Sequence, residues 1–165
     1  MRYQTLTNLF KTVTENHKAD LTFIDETITD ADTASEVVYP LILFMVPTLV
    51  DNLNIQLDQN NAGWTIELQA QELEGEGVTP ELRAEILDRT LEYLRNIILE
   101  IMVNYNNQTS FTTNNLSEEL DFTVSPPSYA KFINVGSEGL TGWQATFTIT
   151  EDTYTNCTVL GDIFN

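Results

Sequence analysis

Residues 63–72 read GWTIELQAQE, and residues 142–151 read GWQATFTITE. Each stretch opens on a glycine-tryptophan pair, alternates in the same phase and closes on a glutamate. Alternation marks a half-buried strand, because successive side chains of an extended chain point to opposite faces. In the first stretch Trp64, Ile66, Leu68 and Ala70 share one face, against Thr65, Glu67, Gln69 and Gln71. In the second, Trp143, Ala145, Phe147 and Ile149 oppose Gln144, Thr146, Thr148 and Thr150. The glycines read as turn exits placed before a bulky residue. Both tryptophans lie in phase with the aliphatic residues of their own strands, so the expectation is two core strands of one sheet. The alternative is an exposed aromatic platform, which would make the chain a carbohydrate- or protein-binding accessory module.

Outward from these strands, Leu6, Leu9, Phe10 and Val13 recur at helical spacing and predict an amphipathic helix over 3–16, ending near His17. LTFIDET at 21–27 reads as a short strand, DETITDADTASE at 25–36 as an acidic loop, and EVVYPLILFMVP at 36–47 as a buried strand. Pro40 suggests an edge position or a bulge for that strand. NIQLDQ at 54–59 reads as another strand, joined through Asn60, Asn61 and Ala62 to the first Gly-Trp strand in a hairpin.

After the acidic ELEGEG at 72–77, Thr79 can cap a helix, Pro80 suits its first position and Glu81 favours the positive end of its dipole. Leu82, Ile86, Leu91, Leu94, Ile98 and Ile101, widened by Leu87, Ile97 and Met102, form an apolar stripe that predicts a helix from 80 to about 104. Glu85 and Arg89 stand four apart on its wet face. The predicted core is Trp64, Ile66, Leu68, Leu82, Ile86, Leu91, Leu94, Ile98, Trp143, Phe147 and Ile149. The order of elements gives an α+β fold, a largely antiparallel sheet packed by an N-terminal helix and one long central helix.

Between 105 and 141 the chain turns polar, with scattered Phe111, Leu116, Phe122, Tyr129, Phe132 and Ile133. Such a segment holds too few apolar residues to fold alone and too many for an inert linker. It is expected to be mobile in the free subunit and ordered by a partner, which makes Phe111, Leu116, Phe122, Tyr129 and Phe132 candidates for assembly contacts. ELDFTV at 119–124 reads as a strand stopped by Pro126-Pro127, and NCTVLGDIF at 156–164 as a last strand.

Length and charge bound the function. The 165 residues fit a single domain over 1–165 with a core of its own. Seven Lys plus Arg against 25 Asp plus Glu leave a net charge of −18, which argues against gripping nucleic acid, since phosphate binding runs on basic residues. The same charge suits a soluble surface, or a wall past which a polyanion slides. The lone Cys157 makes no internal disulfide and no thiolate cluster. The stretch MRYQTLTNLFK carries no apolar signal core, and the apolar run at 37–50 is broken by Pro40 and Pro47, so no membrane span is expected. The reading is a protein made and kept in a reducing cytoplasm.

Residues that carry chemistry are sparse. His17 is the one histidine and sits at a predicted helix end, where a cation-capable side chain is structurally welcome. VGSEGL at 135–140 has one residue too few between its glycines for a nucleophile elbow. Asp25, Glu26, Asp30 and Asp32 form the densest carboxylate cluster but lack the order of a calcium loop. No catalytic residue, metal or cofactor is assigned, and a structural protein is expected in preference to an enzyme.

The order of elements resembles the tail-terminator, or tail-completion, family of bacteriophage proteins, which form a ring at the head-proximal end of the tail. The matching stretches are YQTLTNLFKTV, FIDETITDADTASEVVYPLIL, GWTIELQAQE, TPELRAEILDRTLEYLRNIILEIM and GWQATFTITE, which together cover most of residues 3–151. The closing TGWQATFTITEDTYTNC is also similar to structural proteins from phages of gut Bacteroides, including crAss-like phages with stacked neck rings. The resemblance implies a virion protein that assembles head to tail into a ring of six or twelve copies. It implies portal, neck or tail proteins as partners, and passage of DNA without specific binding. A ring lumen lined by acidic residues would repel DNA phosphates, and the expected lining is Asp25, Glu26, Asp30, Asp32, Glu72, Glu74 and Glu76.

Overall fold

The structure, a computed structural model, describes residues 1–26, 37–54, 59–106, 108–113, 116–136 and 139–153. Its elements are α1 (Tyr3–Glu15), β1 (Thr22–Asp25), β2 (Leu41–Phe44), β3 (Thr48–Asn54), β4 (Gln59–Leu73), α2 (Pro80–Glu100), β5 (Gln108–Thr113), β6 (Leu116–Leu120), β7 (Thr123–Val124), β8 (Ser128–Val135) and β9 (Leu140–Thr153). The fold is α+β, with a mostly antiparallel seven-stranded sheet and a separate β5–β6 hairpin.

The two Gly-Trp stretches are β4 and β9, and they are neighbours. They pair antiparallel from Asn60 opposite Thr153 to Leu73 opposite Leu140. Trp64 stands opposite Ile149 and Trp143 opposite Ala70, at equal distances from the central pair Glu67–Thr146. The ladder therefore has a local two-fold relation, each end built from one strand's Gly-Trp pair and the tail of the other. Shared phase is what antiparallel pairing requires, since opposed residues lie on one face.

On its far side β4 takes β3 along Gln59–Thr65 and β2 along Leu68–Gln71, both antiparallel, and β1 adds parallel to β2. On the other margin β9 carries β7 and β8. Both helices pack on the Trp64 face. Leu6, Leu9, Phe10 and Val13 of α1, with Leu94, Ile97, Ile98 and Ile101, close on Ile42, Phe44, Trp64, Ile66, Leu68, Ala145, Phe147 and Ile149. Phe10 sits 5.0 Å from Phe44 and 6.1 Å from Phe147, ring centre to ring centre. Each large apolar side chain buried this way contributes about 1.5–3 kcal/mol.

Local signals explain the helix limits. Thr79 Oγ1 accepts from Leu82 N–H at 3.3 Å, and Pro80 opens α2. The helix runs straight into a π-helical turn, Ile101–Tyr105, closed by Asn106 N–H to the Ile101 carbonyl at 3.1 Å.

Several expectations need correction. Leu82 is 49% exposed and Met102 42%, so the buried stripe of α2 is narrower than its periodicity suggests and runs through Ile86, Thr90, Leu94, Ile97 and Ile98. Leu91 is half-buried at its margin. The strand expected at 36–47 shrinks to Leu41–Phe44, past Pro40, and lies inside the sheet between β1 and β4, not at an edge. Most of the strand expected at 54–59 lies outside the described residues; the strand that pairs antiparallel with the first part of β4 is Thr48–Asn54, and Asn60, Asn61 and Ala62 belong to β4. Residues 119–124 are split between the end of β6 and β7. The strand expected at 156–164 and Cys157 lie outside the described residues.

Candidate functional site

The ladder ends show how the sheet holds its helices. Trp64 Nε1–H donates to the Met1 carbonyl at 3.2 Å, and Trp143 Nε1–H donates to the Leu87 carbonyl at 3.0 Å. The glutamates that close the two strands are paired as well. Glu151, buried, meets the N-terminal ammonium of Met1, and Glu72 meets Arg89 Nη2 at 2.8 Å. The tryptophans and glutamates thus act alike at the two ends: one indole anchors the backbone leading into α1 and the other the backbone of α2, and each carboxylate neutralises a cation beside it. Neither indole forms an exposed platform, since Trp64 is 9% exposed and Trp143 packs against the core.

The two glycines differ. A Cβ on Gly142 would sit 1.9 Å from the Ala70 carbonyl oxygen and 3.1 Å from Phe132 Cζ, so this position admits only glycine. The Phe132 ring covers the space that a side chain would otherwise fill. A Cβ on Gly63 would meet Thr148 Cγ2 at 3.5 Å, an ordinary contact.

The face of the sheet away from the helices has a different chemistry. Gln71 Nε2 donates to Gln69 Oε1 at 2.7 Å, Gln69 Nε2 to Gln144 Oε1 at 2.9 Å, and Gln144 Nε2 to Glu67 Oε2 at 3.3 Å. This chain of amides crosses from β4 to β9 and ends on one carboxylate. Thr65, Thr146, Thr148 and Thr150 flank it on the same face. None of these positions holds a lysine or arginine. The acidic residues of α2 lie on the opposite side of the molecule, where Glu81, Glu85, Asp88, Glu92 and Glu100 are exposed.

The expected acidic lining is dispersed by this arrangement. Asp25 is buried and accepts from Tyr3 Oη–H at 3.2 Å. Glu74 is gripped by Arg83 through both oxygens, at 2.6 and 2.7 Å, and accepts from Thr141 Oγ1–H at 2.5 Å. The Arg83 hydrogen bond holds the Glu74 carboxyl below its ordinary 4.5. Glu72 is tied to Arg89, and Glu26 and Glu76 remain exposed. Asp30 and Asp32 lie outside the described residues. As lumen candidates, Asp25, Glu72 and Glu74 give way because each is spent inside the chain.

Assembly candidates fare similarly. Phe122 is 3% exposed and belongs to the chain's own core. Tyr129 packs against that core with Arg95 over its ring at 5.8 Å, and Phe132 covers Gly142. The side chains of Phe111 and Leu116 lie outside the described residues.

His17 lines a cleft of about 430 Å³ with Val13, Asn16, Lys18, Asn96, Ile97, Glu100 and Tyr105. Its Nδ1 accepts from Ala19 N–H at 3.1 Å, and its ring meets Tyr93 edge-on at 5.6 Å. Burial pushes its pKa below the usual 6.5, against the pull of Glu92. The imidazole is thus tied to its own turn and to a neighbouring ring, the pattern of a helix-end histidine.

Among the described residues no helix is long and apolar enough to cross a membrane. The amide chain was missed by sequence reading, although the regular Gln and Thr on the wet phase of both Gly-Trp strands carry its signal. Scanned against protein-family models and against curated proteins, the chain gives no match.

Proposed function

We propose that the chain is a structural virion protein of the phage head-tail junction, a neck or tail-terminator ring subunit that joins portal or connector to tail and lets the genome pass. The observation that carries this reading is the two-sided sheet. One face is clad by the two helices, of which α2 carries exposed Glu81, Glu85, Asp88, Glu92 and Glu100, while the other holds a chain of glutamine amides flanked by threonines, with no cation among them. In a ring built with that second face inward, DNA phosphates meet neutral dipoles and a scattered carboxylate, and no lysine or arginine holds them. The acidic surface of α2 then faces outward and to neighbouring rings. In this reading the neutral face, and not the acidic residues of the 25–36 and 72–77 segments, lines the channel.

Negative-stain microscopy of the purified protein, alone and mixed with portal or tail components, tests the proposal. Annular particles with a channel wide enough for a duplex are expected. Monodisperse single subunits that also ignore portal and tail components would refute it.

A further inference from the structure

Among the described residues the sheet is open at both margins, and the two open strands match. Among the described residues β3 pairs with β4 alone and β8 with β9 alone. β3 has seven residues and β8 eight. Each leaves a row of backbone donors and acceptors facing outward, a template for another strand. Which residues face out follows from the ladder. Met45 N–H donates to the Glu67 carbonyl, so odd residues of β4 turn their backbone groups toward β2 and β3, and even ones toward β9. Alternation across each pairing then leaves Leu49, Asp51 and Leu53 facing out from β3, and Tyr129, Lys131 and Ile133 facing out from β8.

Direction agrees. β3, β4, β9 and β8 reverse at every step, so β3 and β8 run opposite ways. A neighbour placed by rotation about an axis along the strands therefore meets β8 with its β3 antiparallel.

Resting on the ring reading above, we propose that β8 of one subunit pairs antiparallel with β3 of a second copy of this chain, with Lys131 opposite Asp51. Charge selects this register. β8 holds one charged residue, Lys131, and β3 one, Asp51, of opposite sign, in a chain whose net charge of −18 repels its copies elsewhere. Asp51 and Lys131 occupy register positions opposite Ala62 of β4 and Trp143 of β9. The same register sets Leu49, 43% exposed, opposite Ile133, 39% exposed, and Val50, 50% exposed, opposite Phe132. Shape agrees as well. Among the described residues the sheet extends two strands beyond β4 along Leu68–Gln71 but only one, β3, along Gln59–Thr65, leaving a step one strand deep that a neighbouring β8 would fill. Because β8 lies beside the Leu140 end of β9 and β3 beside the opposite end of the ladder, joined subunits are staggered along the strands. A closed sheet needs such a stagger, with strands tilted to the ring axis.

The experiment pairs Asn52→Cys with Ala130→Cys in a Cys157→Ser background. In the proposed register these residues are directly opposed and not hydrogen-bonded to each other, a separation of about 4.5 Å between Cα atoms that a disulfide spans. Mild oxidation should convert the double variant into a ladder of covalent oligomers ending at the ring number, with no ladder from either single variant. Rings seen by native mass spectrometry without cross-linking would overturn the edge pairing and leave the ring reading standing. A monomeric Cys157→Ser parent would overturn both. Should the cysteine variants fail to fold, the charges provide a second route: Lys131→Asp should weaken assembly at least tenfold, and adding Asp51→Lys should restore it. A Lys131→Asp chain that assembles as the parent does, or no rescue by the double exchange, would overturn the proposal.

Discussion

The two ends of the β4–β9 ladder begin from the same dipeptide and anchor the helices alike, yet they are packed differently. At Gly142-Trp143 the backbone passes so close to Ala70 that a side chain has no room, and Phe132 closes over the gap. Gly63 lies inside β4 and not at the turn exit the sequence suggests, and there a methyl group has room, so no contact requires the glycine. The tryptophans divide in the opposite sense, Trp64 being the more deeply buried and Trp143 lying under partial cover. Identical local sequence therefore marks equivalent places in a pseudo-symmetric ladder, while the packing around each place decides which residue is indispensable.

Substitutions at the two ends separate these roles. Trp64→Ala should cost on the order of 3–5 kcal/mol, the range for emptying a large buried site, and its loss should exceed that of Trp143→Ala. Urea denaturation measures both, and equal losses would erase the distinction. Gly142→Ala should cost about 2–3 kcal/mol through forced overpacking. By contrast Gly63→Ala should be neutral or should stabilise by roughly 0.4–1 kcal/mol, because it only restricts the unfolded chain. A destabilised Gly63→Ala variant would show that the two glycines are alike after all.

The carboxylates near the ends give a smaller, pH-dependent contrast. Glu74 titrates below its ordinary 4.5 in the folded chain because Arg83 hydrogen-bonds it. A depressed folded value means that the contribution is present above the unfolded pKa and lost as pH falls through the folded one. Glu74→Gln should therefore lower the melting temperature at pH 7 and converge on the parent as the pH falls below the depressed folded value. A gap that persists or widens in acid would assign the effect to packing. Smallest of all, Leu82→Ala should change stability by less than about 0.5 kcal/mol, since the side chain is half exposed.

Legibility in the sequence follows the same physics. Period-two alternation over ten residues identified β4 and β9, and capping chemistry placed the start of α2, because those signals depend on nearest neighbours. The pairing of β4 with β9, and the symmetric placing of their tryptophans, depends on residues far apart in the chain. β8 carries little alternation because it is an edge strand exposed along most of its length, so 105–141 reads as a partner-ordered segment with one strand at 119–124, although β5 to β8 all lie within it. The fate of the acidic residues was equally hidden: Glu72 and Glu74 look like members of a solvated run, and only the fold brings Arg89 and Arg83 to them. The glutamine chain on the open face required knowing that two wet phases lie side by side.

The central claim is that this chain closes on itself as a ring. Native mass spectrometry at micromolar concentration and moderate ionic strength measures that directly. One closed stoichiometry, six or twelve copies, with no ladder of larger open assemblies is the result this account predicts. A single peak at the monomer mass of 18.7 kDa across that concentration range would contradict it.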